Sequence, residues 1–385
     1  MPERVYLDWN ATTPLRPEAK AAMAAAWDIS GNPSSVHVEG RQARRLIEEA
    51  RADIAAAVGA RPQDVVFCSG GTEANALALT PGLRRGAGRP VGRLLVSAIE
   101  HASVLSGGRF PADAIGTIHV TPSGLVDLGH LRGLLKDGPP ALVSVMLANN
   151  ETGAIQPVTE IAAIVHEAGG LLHVDAIQAF GKISFDIKSM EADLVTLSAH
   201  KIGGPKGAGA VVLAEEVHGL EPLLRGGGQE LGRRAGTENV AGISAFGAAA
   251  KAAMAALEGE AVRLRGLQNR LEDGLKQTNG MIVFSSDVQR LPNTALFSAP
   301  GLKAETAVIG FDLAGIAVSS GSACSSGKVQ PSHVLAAMGF GRELAQGAVR
   351  LSLGWSTSET DVDLALKAWR KLADVLLRGE RRNTA

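Results

Sequence analysis

Six short runs of apolar and β-branched residues, at 64–68, 93–97, 141–147, 171–174, 194–197 and 210–213, alternate with longer helical or loop segments. Runs this short suit strands better than helices, and a strand apolar along most of its length is buried on both faces. The intervening segments supply the cover. Residues 41–58 form a charged, amphipathic pattern, 72–79 follow a glycine turn, and 158–168 repeat the helical spacing. Strands buried on both sides and alternating with helices predict an α/β fold built on a mainly parallel sheet.

After Gly236 the texture changes. Residues 239–277 read as one or two long helices. Beyond them come shorter strands at 281–284, 294–298, 316–319 and 348–353, interleaved with helices near 304–313, 332–338 and 359–377. The pattern predicts a large domain over 15–255 and a smaller α+β domain over 256–385, with residues 1–14 packed on the latter. A chain of 385 residues is long enough for two such lobes.

Charge and cysteine content narrow the classes of function. The 38 Lys+Arg and 39 Asp+Glu nearly cancel, which removes the global electrostatic case for binding nucleic acid. No uninterrupted apolar stretch reaches the roughly 20 residues of a membrane span, since Lys251 breaks the alanine-rich run at 241–257. The N-terminal residues lack an apolar signal core, so a cytoplasmic location is expected. Two cysteines, Cys68 and Cys324, cannot build a disulfide framework. Either one is then a candidate for chemistry.

In an open parallel sheet, ligands gather at the carboxyl ends of the strands. Ser69-Gly70-Gly71-Thr72-Glu73 follows the first strand, and glycines ahead of a helix N-terminus suit a phosphate. Alone, that stretch reads rather as a plain strand–helix turn with Thr72 as N-cap. Asp175 ends a strand that is otherwise apolar, where a carboxylate needs a cationic or protonated partner. Lys201 lies just past another buried strand, and a desolvated lysine forms Schiff bases. A phosphate cradle, a strand-end Asp and a strand-end Lys are the three anchors pyridoxal 5′-phosphate needs. His101, also after a strand, offers a ring to stack on the pyridine.

Further segments carry a family resemblance. They include Ala11-Thr12-Thr13-Pro14, Ser69-Gly70-Gly71-Thr72-Glu73-Ala74-Asn75, Asn149-Asn150-Glu151-Thr152-Gly153 and His173-Val174-Asp175-Ala176. Ser198-Ala199-His200-Lys201, Gly236-Thr237-Glu238-Asn239, Ser320-Gly321-Ser322-Ala323-Cys324 and Arg350-Leu351-Ser352-Leu353-Gly354 continue the series. In order and nearly end to end, the chain resembles the cysteine desulfurases of the class V aminotransferase group, within the fold-type-I pyridoxal-phosphate enzymes. The resemblance implies a seven-stranded large-domain sheet. It also implies Lys201 as Schiff-base lysine, Asp175 as partner of the pyridine nitrogen and His101 as stacking ring. By the same resemblance Gln178 bonds the phenolic oxygen, and Gly71, Thr72, Ser198 and His200 form the phosphate cup. Asn150 lies near cofactor and substrate, and Arg350 holds the substrate carboxylate with its bidentate fork. Thr237 matches a residue given to the neighbouring subunit's phosphate, which implies a homodimer with shared sites.

Cys324 lies in a stretch of serines and glycines with no apolar anchor, which reads as a loop. Beside the other anchors, and matching the desulfurase motif, it is the expected nucleophile. The implied reaction turns L-cysteine into L-alanine, leaving a persulfide on Cys324 for an acceptor such as an iron–sulfur scaffold protein. A selenocysteine lyase, another class V enzyme or a non-catalytic sulfur-carrier subunit are the alternatives. Cys68, inside the strand Val65-Val66-Phe67-Cys68, reads as a small buried hydrophobe. Trp9 in the N-terminal motif has no role that the sequence suggests.

Overall fold

The computed structural model describes residues 4–321 and 330–377. Its central sheet has seven strands: β1 (Val65–Cys68), β2 (Arg93–Ser97), β3 (Ile115–Ile118), β4 (Ala141–Met146), β5 (Leu171–Asp175), β6 (Leu194–Ser198) and β7 (Gly209–Leu213). They lie in the order β1-β7-β6-β5-β4-β2-β3. Only β7 runs antiparallel to its neighbours. Strand β3 escapes the sequence pattern because it is a half-exposed edge strand carrying Gly116, with little apolar signal to read.

The alternation of side chains explains the layers. Val143, Val145, Leu172, Val174, Val195 and Leu197 face one core. The helices α1 (Pro17–Trp27), α2 (Val38–Val58), α4 (Val158–Glu167) and α5 (Val240–Lys276) flank that side. Leu142, Leu171, Leu194 and Val211 face the opposite core, which is covered by α3 (Gly71–Ala78).

Helix α5 is a single element of 37 residues, about 55 Å long at 1.5 Å per residue. Its first half puts Phe246, Ala249 and Ala253 into the large core. Its second half puts Leu264, Leu271 and Leu275 into a separate cluster around a small antiparallel sheet. The helix therefore runs through residue 255 without a break. By length and composition alone it is long and apolar enough to cross a membrane, despite the lysine in its apolar half. Half of its most apolar window is buried. A Cβ on Gly247 would stand 2.6 Å from the Ala50 Cα, so glycine sets how closely α5 approaches α2.

The small sheet contains β8 (Ile282–Val283), β9 (Thr294–Ser298), β10 (Ser319–Ser320) and β11 (Val349–Ser352), in the order β8-β9-β11-β10. The N-terminal strand Val5–Tyr6 pairs with Ile316–Ala317, and Val5 and Leu7 join this core. Trp9 now has a structural role. It is buried edge-on against Trp355 with ring centroids 4.6 Å apart, and its Nε1 donates to the Tyr6 carbonyl at 2.8 Å. A Cβ at Gly354 would sit 2.0 Å from that indole, so only glycine fits there.

Candidate active site

The carboxyl ends of the parallel strands converge on a cavity of about 270 Å³. Gly71, Thr72, His101, Asn150, Asp175, Gln178, Ser198, His200, Lys201 and Arg350 all line it. Their convergence follows from the topology. Asp175 and Ser198 end the neighbouring strands β5 and β6, and a single 3₁₀ turn, Ala199–Lys201, carries the lysine back over the sheet. Arg350 arrives from the small sheet on β11.

Lys201 donates from Nζ to the backbone carbonyls of Asn10 at 2.6 Å and Ala11 at 2.8 Å, which aims the amine at the cavity. Asp175 is buried. Its Oδ1 accepts the Ile177 N–H at 3.0 Å and its Oδ2 accepts Asn75 Nδ2 at 2.8 Å. Burial raises its pKa, and those hydrogen bonds together with the charge of Lys201 oppose the rise. A buried carboxylate of this kind is stabilised by a protonated nitrogen placed against it. His101 caps the short helix that follows it, its Nδ1 accepting the Ser103 N–H at 3.1 Å. Burial lowers its pKa, so its ring is neutral near pH 7.

The phosphate end fits equally well. Helix α3 begins at Gly71 with Gly70 as N-cap and has no side-chain cap; Thr72 lies inside the helix rather than capping it. The Ser198 hydroxyl is fully enclosed and has no hydrogen-bond partner among the described residues. An orphaned donor beside an uncapped helix N-terminus fits a bound phosphate. His200 contacts Thr12 Oγ1 through Nδ1 at 3.2 Å. Burial, helped by Lys201 and Lys206, pushes its pKa down to about 4. These residues fit pyridoxal phosphate, with Lys201 for its aldehyde, Asp175 for its ring nitrogen and the α3 terminus with Ser198 for its phosphate.

Arg350 is almost wholly buried. Its Nη2 donates to Asp8 Oδ1 at 2.8 Å and its Nη1 to the Asn150 carbonyl at 3.0 Å, while Nε has no partner among the described residues. Asn150 thus orients the arginine through its backbone as well as lining the cavity. The cavity also holds residues that the motifs did not single out. Asn10 is the hub: its side chain accepts from Lys182 Nζ at 2.9 Å and donates to Thr294 Oγ1 at 2.8 Å, joining the turn that follows β5 to the small sheet. Lys182 also donates to Gln178 Oε1 at 2.7 Å, and Gln178 Nε2 donates to the Asn10 carbonyl at 2.9 Å. These two bonds fix which way the Gln178 amide is turned. Burial drives the Lys182 pKa well below the usual lysine range. Its two hydrogen bonds go to two amide oxygens.

Two expected residues stand apart. Thr237 lines a different cleft, with Cys68, Arg234 and Glu238, and does not reach the cavity of its own chain. Cys324 lies outside the described residues. Cys68 is buried at the end of β1, and desolvation pushes its thiol up to about 12, far from a nucleophilic thiolate at neutral pH.

The model of the class-V aminotransferase family matches residues 5–365. A cysteine desulfurase of Gluconacetobacter diazotrophicus is 42% identical, over 94% of this chain and 91% of its own. An IscS-like cysteine desulfurase of Mycobacterium tuberculosis is also 42% identical, covering 94% of each chain. The X-ray structure of a NifS-like protein from Rickettsia africae superposes with a TM-score of 0.87 at 37% identity, covering 97% of this chain and 100% of that one. With the fold, the cavity and these relatives in agreement, the chain belongs to the class-V aminotransferase family and, within it, to the cysteine desulfurases.

Proposed function

We propose that this protein binds pyridoxal 5′-phosphate in the cavity between β5, β6 and α3 and uses it to convert L-cysteine to L-alanine. The observation that carries the reading is the meeting of Lys201, Asp175, His101 and Arg350 around one cavity at the carboxyl ends of the sheet. Bound pyridoxal phosphate supplies an electron sink next to the substrate Cα. The chain supplies the rest. Arg350 and Asn150 hold the substrate carboxylate, and Lys201 Nζ takes the Cα proton as general base. Asp175 would keep a proton on the cofactor's ring nitrogen. The Cys324 thiolate forms an S–S bond with the substrate sulfur while the Cβ–S bond breaks. The electron pair stays on carbon, which leaves as alanine after protonation. Cys324 keeps the persulfide and passes the terminal sulfur to an acceptor protein such as an iron–sulfur scaffold. Thr237, remote from its own cavity, fits a homodimer in which each chain completes the partner's phosphate site. A cytoplasmic setting suits a reactive persulfide carrier.

Borohydride reduction of the yellow protein, followed by peptide mass spectrometry, tests the reading. A phosphopyridoxyl adduct on Lys201, with alanine released from cysteine by the unreduced protein, is expected. A colourless protein that takes up no pyridoxal phosphate refutes it.

A further inference from the structure

Behind the cavity, a file of buried polar side chains crosses three strands on the α3 side of the sheet. Ser144 on β4, His173 on β5, Thr196 on β6 and Asn75 on α3 are all fully buried. Ser144 and His173 are register partners, with Oγ and Nδ1 2.8 Å apart. His173 Nε2 lies 3.1 Å from Thr196 Oγ1, and Thr196 Oγ1 lies 2.6 Å from Asn75 Oδ1. Asn75 Nδ2 then donates twice, to Asp175 Oδ2 at 2.8 Å and to Ser103 Oγ at 2.9 Å. Ser103 Oγ in turn contacts His101 Nδ1 at 2.8 Å.

The donors and acceptors leave one consistent direction. The Asn75 oxygen can only accept, so the Thr196 hydroxyl spends its hydrogen there and must accept from His173 Nε2–H. The other His173 nitrogen then accepts from Ser144. Burial holds His173 neutral by pushing its pKa down to about 3, so it carries one ring proton and not two. Turned the other way, the Asn75 amide would present its oxygen to the Asp175 carboxylate, and two acceptors would face each other in a dry site. The same turn would strip Ser103 of its donor. A buried Asn whose two nitrogen hydrogens serve both the ring-nitrogen partner and the stacking histidine is more than a satisfied core group.

We infer that the Thr196 hydroxyl and Asn75 are positioning residues for the cofactor ring: Thr196 locks the Asn75 amide so that one NH₂ group sets Asp175 and, through Ser103, His101. The inference rests on the proposed binding of pyridoxal phosphate. Its test uses cofactor affinity and the pH midpoint of the bound cofactor's visible absorbance, neither of which requires turnover. Thr196→Val keeps the shape and strand propensity but removes the hydroxyl. Its dissociation constant for pyridoxal phosphate should rise on the order of tenfold, the cost of one buried acceptor left unpaired. Its absorbance midpoint should shift as well. Thr196→Ser should stay within about twofold of the parent, since the donor is what counts. Ser103→Ala, on the other arm of the fork, should move the absorbance midpoint even if Thr196→Val fails to fold. Unchanged affinity and midpoint in Thr196→Val, or equal losses in the Val and Ser variants, would overturn the inference while leaving the cofactor reading intact. An unchanged midpoint in Ser103→Ala would overturn the His101 arm. A parent protein that takes up no cofactor would overturn both.

Discussion

Replacing Lys182 with methionine tests the buried hub behind the cavity. Lys182 Nζ donates to Asn10 Oδ1 at 2.9 Å and to Gln178 Oε1 at 2.7 Å. After the change Asn10 Oδ1 keeps a donor, Asn293 Nδ2 at 3.1 Å, whereas Gln178 Oε1 loses its Lys182 donor. One orphaned acceptor and one weakened one cost about 2–4 kcal/mol together. A term that depends on pH works the other way. Burial holds the Lys182 pKa well below its ordinary 10.5, so the folded protein binds fewer protons there than the unfolded chain does. Stability contributed by this residue therefore rises with pH, until the unfolded lysine also loses its proton near 10.5. The slope has a ceiling of about 1.4 kcal/mol per pH unit, one proton's worth. Urea unfolding of the parent and the Lys182→Met variant at pH 7, 8 and 9 reads both terms. The parent's advantage should widen at each step toward alkaline pH. An advantage that is flat, or shrinks, would show that burial does not lower the Lys182 pKa in the folded protein and refute the reasoning.

Two further substitutions separate cofactor binding from folding. Ser198→Ala removes an enclosed hydroxyl that has no partner among the described residues, so cofactor-free stability should hold or rise slightly. Pyridoxal phosphate affinity, followed by fluorescence titration, should fall about ten- to a hundredfold, one hydrogen bond to a charged group. Glu100, next to His101 in the chain, has one carboxylate oxygen with no partner among the described residues, and burial pushes its pKa up from 4.5 to about 8. The folded protein thus keeps a proton that the unfolded chain has released, and the parent loses stability as pH rises from 4.5 to 8. Glu100→Gln should abolish that loss, gaining on the parent in thermal melts as pH rises; parallel pH profiles for the two would count against a protonated Glu100.

The parts of the site that could be read in the sequence are those whose chemistry clashes with their local pattern. Asp175 and Lys201 stand out because a charge ends, or just follows, an apolar strand, and the sheet topology then brings them together whatever the loops do. The seven strands were legible where both faces are buried and not at β3, whose edge position leaves few apolar residues. Asn10, Asn75, Lys182 and Thr196 carry no such clash. Their meaning lies in partners far along the chain: Lys182 bonds Asn10 across 172 residues, and Thr196 bonds Asn75 across 121. A polar residue in a helix or a strand gives no local sign of that. The antiparallel course of β7 is hidden for a related reason, since strand direction depends on the length and path of the connection that follows Lys201.

The central claim is that Cys324 accepts sulfur from a cysteine held at Lys201 and Arg350. The most direct measurement compares the parent with Cys324→Ala after loading both with pyridoxal phosphate and adding L-cysteine. The variant should show the same cofactor absorbance as the parent, form no alanine, and carry no persulfide by mass spectrometry of the intact chain. Alanine formed at the parent's rate by Cys324→Ala would contradict the account.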